Sequence, residues 1–111
     1  MSELEISVDE VKRLLDTSEE GLLLVDCRTE AEVEICRLDG AVHVPLGAIE
    51  SEAEDLLEDA EGRPVVVYCH HGVRSKTAAL ALRALGVATA VSMRGGIDAW
   101  SERIDPGVPR Y

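Results

Sequence analysis

The stretch Val65-Val66-Val67-Tyr68-Cys69-His70-His71-Gly72-Val73-Arg74-Ser75 runs four β-branched or aromatic residues straight into a cysteine. A short loop then leads into an Ala/Leu-rich helical segment, Lys76 to Leu85. An apolar run without polar alternation is the pattern of a strand buried on both faces, as parallel sheets contain. Cys69 is thus expected where a buried strand ends and a helix begins. Unpaired backbone N–H groups and the positive end of the helix dipole gather there. A thiol in that position loses its proton readily, and the thiolate is the nucleophile. The loop can also cradle an anion. Gly72 permits a turn that a β-carbon would hinder, and Arg74 can offer a bidentate charge. His70 and His71 add donors. Cys69 is therefore the candidate catalytic residue, His70, His71, Gly72, Val73 and Arg74 the candidate substrate-binding loop, and Ser75 a support at the helix start.

Other elements fall into place on either side. Ile6-Ser7-Val8-Asp9-Glu10-Val11 reads as a helix start, with Ser7 and Glu10 as a capping box and Ile6 with Val11 as a hydrophobic staple. That helix is expected to reach about Asp16. Leu22 to Asp26 is a second doubly buried strand. A short helix is predicted over Glu30 to Ile35, a short strand at Val42-His43-Val44, and an amphipathic helix over Leu46 to Leu57 with Ile49, Ala53, Leu56 and Leu57 inward. Gly86 suits a left-handed helix cap, with Val87 touching Leu82. Thr89 to Ser92 reads as a strand and Ile97 to about Arg103 as a last helix. Strands alternating with helices imply an α/β fold with a central, mainly parallel sheet and helices on both faces. Functional sites in such folds lie beyond the C-terminal strand ends, where Cys69 falls.

A length of 111 residues suits one domain, spanning 1–111. The net charge is −11, yet residues 63 to 97 hold five basic residues and no acidic one, so the remainder carries −16. This pattern suggests a basic basin around an anion site on an acidic body. Overall acidity argues against nucleic acid and anionic membrane as partners. No apolar run approaches a bilayer span, and the start Met1-Ser2-Glu3-Leu4-Glu5 lacks a signal-peptide pattern, so a cytoplasmic monomer is expected. Three cysteines without a CxxC pair argue against a disulfide framework. Cys27 and Cys36 precede no glycine-bearing loop and read as core thiols. Cys69-His70-His71 lacks metal-ligand spacing, so no metal is expected.

Four ordered motifs resemble the single-domain rhodanese sulfurtransferases. They are Leu24-Val25-Asp26-Cys27-Arg28-Thr29-Glu30, Leu38-Asp39-Gly40-Ala41-Val42-His43-Val44-Pro45, the Cys69 to Ser75 loop, and Arg94-Gly95-Gly96-Ile97-Asp98-Ala99-Trp100. Cys36-Arg37 stands where that family usually has Gly-His. The resemblance implies the rhodanese-like fold and a persulfide enzyme without metal or organic cofactor. Cys69 would take a sulfane sulfur from a small anionic donor such as thiosulfate and pass it to a small-thiol or protein-thiol acceptor, or to cyanide. Asp26 and Arg28 would brace the strand end, and Trp100 would fill the core beneath a Gly95-Gly96 turn. Two other readings compete. One is a non-catalytic interaction or sensing module. The other is a cysteine phosphatase or arsenate reductase of the same fold, although the related phosphatases carry Cys-x5-Arg and this loop is Cys-x4-Arg.

Overall fold

The computed structural model describes residues 3–17 and 21–111. Its centre is a five-stranded sheet: β1 (Glu5–Ile6), β2 (Leu23–Asp26), β3 (Val42–His43), β4 (Val65–Tyr68) and β5 (Ala90–Met93). The strands lie in the order β1-β5-β4-β2-β3, and every pairing is parallel. Helices α1 (Val8–Thr17), α2 (Glu30–Ile35), α3 (Ile49–Ala60), α4 (Val73–Ala84) and α5 (Gly96–Arg103) fill the connections.

The period-two geometry of β2 and β4 feeds two cores. Leu23, Val25, Val65 and Val67 pack with Ile49, Ala53 and Leu56 of α3 and Ala78, Ala79 and Leu82 of α4. Leu24, Val66 and Tyr68 pack on the opposite face with Val8 and Val11 of α1 and Ile97 and Trp100 of α5. Helices therefore cover both faces, as the apolar runs implied. The connection leaving β2 runs to β3 on one flank, and that leaving β4 runs to β5 on the other. The strand order thus reverses between β2 and β4, which opens a crevice at their C-terminal ends. No helix among the described residues is long and apolar enough to cross a membrane.

Several boundaries differ from expectation. Strand β1 went unpredicted because two residues carry no periodicity; it pairs with the end of β5. At α1, Ser7 Oγ accepts from the Glu10 N–H at 3.1 Å, but the Glu10 carboxylate turns to Arg13. Only half of the predicted capping box forms. Leu46 to Ala48 is a single 3-10 turn, and α3 starts at Ile49 and continues to Ala60. That phase turns Ile49, Ala53, Leu56 and Ala60 inward and leaves Leu57 45% exposed, contrary to its predicted place. α4 begins at Val73 rather than near Ser75, because Gly72, at φ +102°, makes the turn and caps the helix itself. Its far end follows the prediction: the N–H groups of Gly86 and Val87 donate to the Arg83 and Leu82 carbonyls at 3.1 and 2.9 Å.

Candidate active site

Cys69 is the first residue beyond β4 and is 1% exposed. Donors converge on its sulfur from the loop and from α4. The Gly72 N–H lies 3.1 Å from Sγ, the Ser75 N–H 3.4 Å, and the Ser75 hydroxyl 3.4 Å. A further influence comes from the end of the neighbouring strand. The Cys27 thiol is the largest factor lowering the Cys69 pKa, opposed by burial and joined by Ser75 and Gly72. Together they bring the Cys69 thiol down from 9.0 to about 4. The same pairing, with burial, pushes Cys27 far up, so the shared negative charge belongs to Cys69.

The donor set departs from a ring running the length of the loop. The amides that reach Sγ are those of Gly72 and Ser75. Val73 stands in the first turn of α4 with 75% of its surface exposed. The His70 and His71 rings lie 3.8 Å apart at a tilt of 31°, and His70 stacks on Tyr111 at 3.9 Å. Arg74 forms the bidentate contact expected of it, but with a protein carboxylate. Its Nη1 and Nη2 donate to Glu32 Oε1 and Oε2 at 2.6 and 2.9 Å. Glu32 is also the capping residue of α2, exchanging bonds with Thr29, and it accepts the Tyr111 hydroxyl at 2.7 Å. Arg74 first, and these partners with it, hold the Glu32 carboxyl below the usual range. Lys76 and Arg94 stand 3.9 Å from Glu5. The open basic basin is therefore corrected: three of its cations face carboxylates, and at the sulfur the Gly72 and Ser75 donors act at short range with the Arg74 charge behind them.

Ser75 does more than start a helix. Its hydroxyl meets that of Ser92, on β5, at 2.7 Å. With Cys69 ionised, Ser75 donates to the sulfur and Ser92 donates to Ser75. Replacing Ser75 by alanine removes the hydroxyl and keeps the amide. A hydrogen bond to a charged group is worth roughly 1.5–3 kcal/mol, so the thiolate pKa is expected to rise by about 1–2 units. Ser92→Ala should shift it the same way by less. Titrating the thiolate's ultraviolet absorbance measures both.

Asp26 and Arg28 lie beneath the site, fully buried. Arg28 Nε and Nη2 donate to the two oxygens of Asp26 at 2.9 and 2.7 Å. Asp26 also accepts the Tyr68 hydroxyl at 2.8 Å, and Arg28 bonds the Cys36 carbonyl and Tyr111 Oη. His43 Nε2 meets the Arg28 carbonyl at 2.7 Å. This network ties β2, β4, the segment after α2 and the C-terminal residues into one brace. The Gly95-Gly96 turn braces the loop from the other side. The N–H groups of Ile97 and Asp98 donate to the carbonyls of Cys69 and His70 at 2.9 and 3.1 Å. A β-carbon on Gly96 would overlap both of those carbonyl oxygens. His70, His71 and Asp98 bring ligating atoms within 4.8 Å of one another, but Arg110 already grips Asp98 at 2.8 and 3.1 Å.

A buried cysteine of lowered pKa thus follows the central strand, beside a glycine turn and a buried Asp-Arg pair, in an α/β domain with a parallel sheet. The Rhodanese-like domain profile matches residues 7–103, and the chain belongs to that family. The probable adenylyltransferase/sulfurtransferase MoeZ of Mycobacterium tuberculosis is 36% identical over 106 residues, covering 96% of this chain and 26% of MoeZ. The putative sulfur carrier protein YrkF of Bacillus subtilis is 33% identical over 101 residues, covering 91% of this chain and 52% of YrkF. The chain thus spans between a quarter and a half of the length of these relatives. The solved structure of the human single-domain sulfurtransferase TSTD1 superposes with a TM-score of 0.75 at 24% identity, covering 92% of this chain and 98% of that one. The likeness establishes a shared fold.

Three contributors escaped the sequence analysis. Cys27 follows β2 as Cys69 follows β4, and that symmetry was the available signal. Ser92 and Glu32 gave none, since their roles depend on how β5 and α2 stand against α4.

Proposed function

We propose that the chain is a sulfurtransferase that carries a sulfane sulfur as a persulfide on Cys69. The observation that carries this reading is the convergence of the Gly72 and Ser75 donors on Cys69 Sγ, which stabilises the thiolate at neutral pH. The thiolate attacks the outer sulfur of thiosulfate or a similar anionic donor. An Sγ–S bond forms, the donor's S–S bond breaks, and sulfite leaves with the electron pair. An acceptor thiolate, small or protein-borne, then attacks the outer sulfur and returns Cys69 to its thiolate. Two half-reactions through a covalent intermediate predict ping-pong kinetics. Relatives whose names include sulfurtransferase and sulfur carrier support this chemistry. The Cys-x4-Arg spacing, one residue shorter than the phosphatase loop, favours a sulfur atom over a phosphoryl group.

Incubation with thiosulfate is expected to add one sulfur atom to the intact mass, and cyanide should remove it. Absence of any gain would overturn the proposal. The pH profile supplies a second check. A thiol depressed to about 4 is ionised throughout the neutral range. Alkylation by iodoacetamide should therefore be flat above about pH 5 and fall below about pH 4, whereas an ordinary thiol accelerates up to about pH 8.5.

A further inference from the structure

Cys27 helps to keep Cys69 ionised for the transfer described above, and its placement gives it a reaction of its own as well. The register Leu23↔Val65 through Asp26↔Tyr68 sets Cys27 opposite Cys69 at the next position. The Cys27 N–H donates to the Tyr68 carbonyl at 3.0 Å, which keeps the strands aligned past their ends. Neighbouring strands lie about 4.8 Å apart, within the roughly 4.4–6.8 Å Cα separation that a disulfide spans. Both side chains point into the same core cluster, and each is 1% exposed. The loop donors reach Cys69 Sγ from the β4–α4 side, and Cys27 comes from β2.

We propose that Cys27 is a resolving thiol that discharges the Cys69 persulfide as sulfide. The inference rests on the persulfide reading above. Cys27 Sγ attacks Cys69 Sγ and a Cys27–Cys69 bond forms. The bond from Cys69 Sγ to the outer sulfur breaks, and that sulfur leaves with the electron pair as hydrosulfide, taking up the proton that Cys27 gives up. The sulfane sulfur is reduced to sulfide, and the two cysteines are oxidised to a disulfide. An external dithiol restores both thiols by exchange. Loading itself arms the step. The Cys69 thiolate holds the proton on Cys27 through hydrogen bonding and charge, with burial adding to both. Once Sγ is bonded to sulfur, the negative charge moves outward to the terminal sulfur and Sγ becomes the electrophile that Cys27 faces. The domain would then have two outlets for its cargo: transfer to an acceptor, or sulfide release when none arrives.

The test follows thiosulfate-loaded protein, freed of excess donor, by intact mass and sulfide assay, for the unmodified chain and for Cys27→Ser. The unmodified chain should lose its added sulfur, release one sulfide per chain, and end two hydrogens lighter than the starting protein. Cys27→Ser should keep the sulfur at least about tenfold longer, since the only adjacent attacking thiol is gone. Non-reducing peptide mapping of the unmodified chain should find Cys27 joined to Cys69, a readout independent of how well the variant folds. Equal lifetimes in both proteins, or sulfur loss without the linked peptide, would overturn the inference while leaving the transfer chemistry intact. Failure of both proteins to gain sulfur would bring down the persulfide reading and this inference with it.

Discussion

Cys69→Ser is expected to abolish sulfur loading, with donor turnover falling by about three orders of magnitude or more, the scale seen when a covalent nucleophile is removed. A serine hydroxyl occupies nearly the same volume and can accept the Gly72 and Ser75 amides that now meet Sγ at 3.1 and 3.4 Å. It does not ionise at neutral pH, and it forms no persulfide. No cavity opens, but a thiol ionised in the folded chain and protonated in the unfolded one stabilises the fold at neutral pH, so stability should fall by a few kcal/mol there and the difference should shrink as pH drops toward about 4. Thiosulfate:cyanide turnover and a thermal melt on the same sample check both halves. An active Cys69→Ser protein would move the chemistry to another thiol, whereas an unfolded one would mean that the negative charge itself holds the loop together.

Gly96→Ala should give the largest loss of stability of any glycine substitution at the site. Gly96 has φ +63°, and an added β-carbon would press on the Cys69 and His70 carbonyl oxygens, backbone atoms that cannot swing aside. The left-handed conformation costs an alanine roughly 1–2 kcal/mol. Displacing the loop would also break the bonds from Ile97 and Asp98 to those carbonyls, bringing the total to about 3 kcal/mol or more. A melting-point drop of about 12 °C follows for a domain of this size. Gly86→Ala is the control. Its φ is +99°, but nothing lies within 4 Å of the added carbon, so only the conformational cost applies. A melting point for Gly96→Ala no lower than that of Gly86→Ala would mean the turn does not brace the loop.

Local chemistry made most of the architecture legible from sequence. Val65 to Val67 and Leu22 to Val25 are apolar at every position, which suits strands covered on both sides, and both are found there. Glu30 to Ile35 and the Gly86 cap likewise follow from short-range signals. What escaped was tertiary. The pairing of Arg74 with Glu32 is invisible in the chain because the two lie 42 residues apart on different helices. Ser92 looked like any polar strand residue until β5 brought it to Ser75. Cys27 is the core thiol that the sequence implies, and its adjacency to Cys69 leaves no separate trace in one dimension. Ile49, Ala53 and Leu56 of α3 face inward as their spacing implies, while Leu57 falls at the edge of that stripe, where the sequence does not show how far the cover extends.

The Ser75–Ser92 pair has one more consequence. When Cys69 carries a proton, its S–H can point to Ser75 Oγ, Ser75 to Ser92, and Ser92 to the Gly72 carbonyl at 3.5 Å. When the sulfur is ionised, the two hydroxyl dipoles run the opposite way. They reverse together, by rotation of light atoms alone, while every heavy atom keeps its place. The pocket can therefore retune its polarity each time charge arrives at or departs from the sulfur, on the timescale of a hydroxyl rotor rather than of a moving loop.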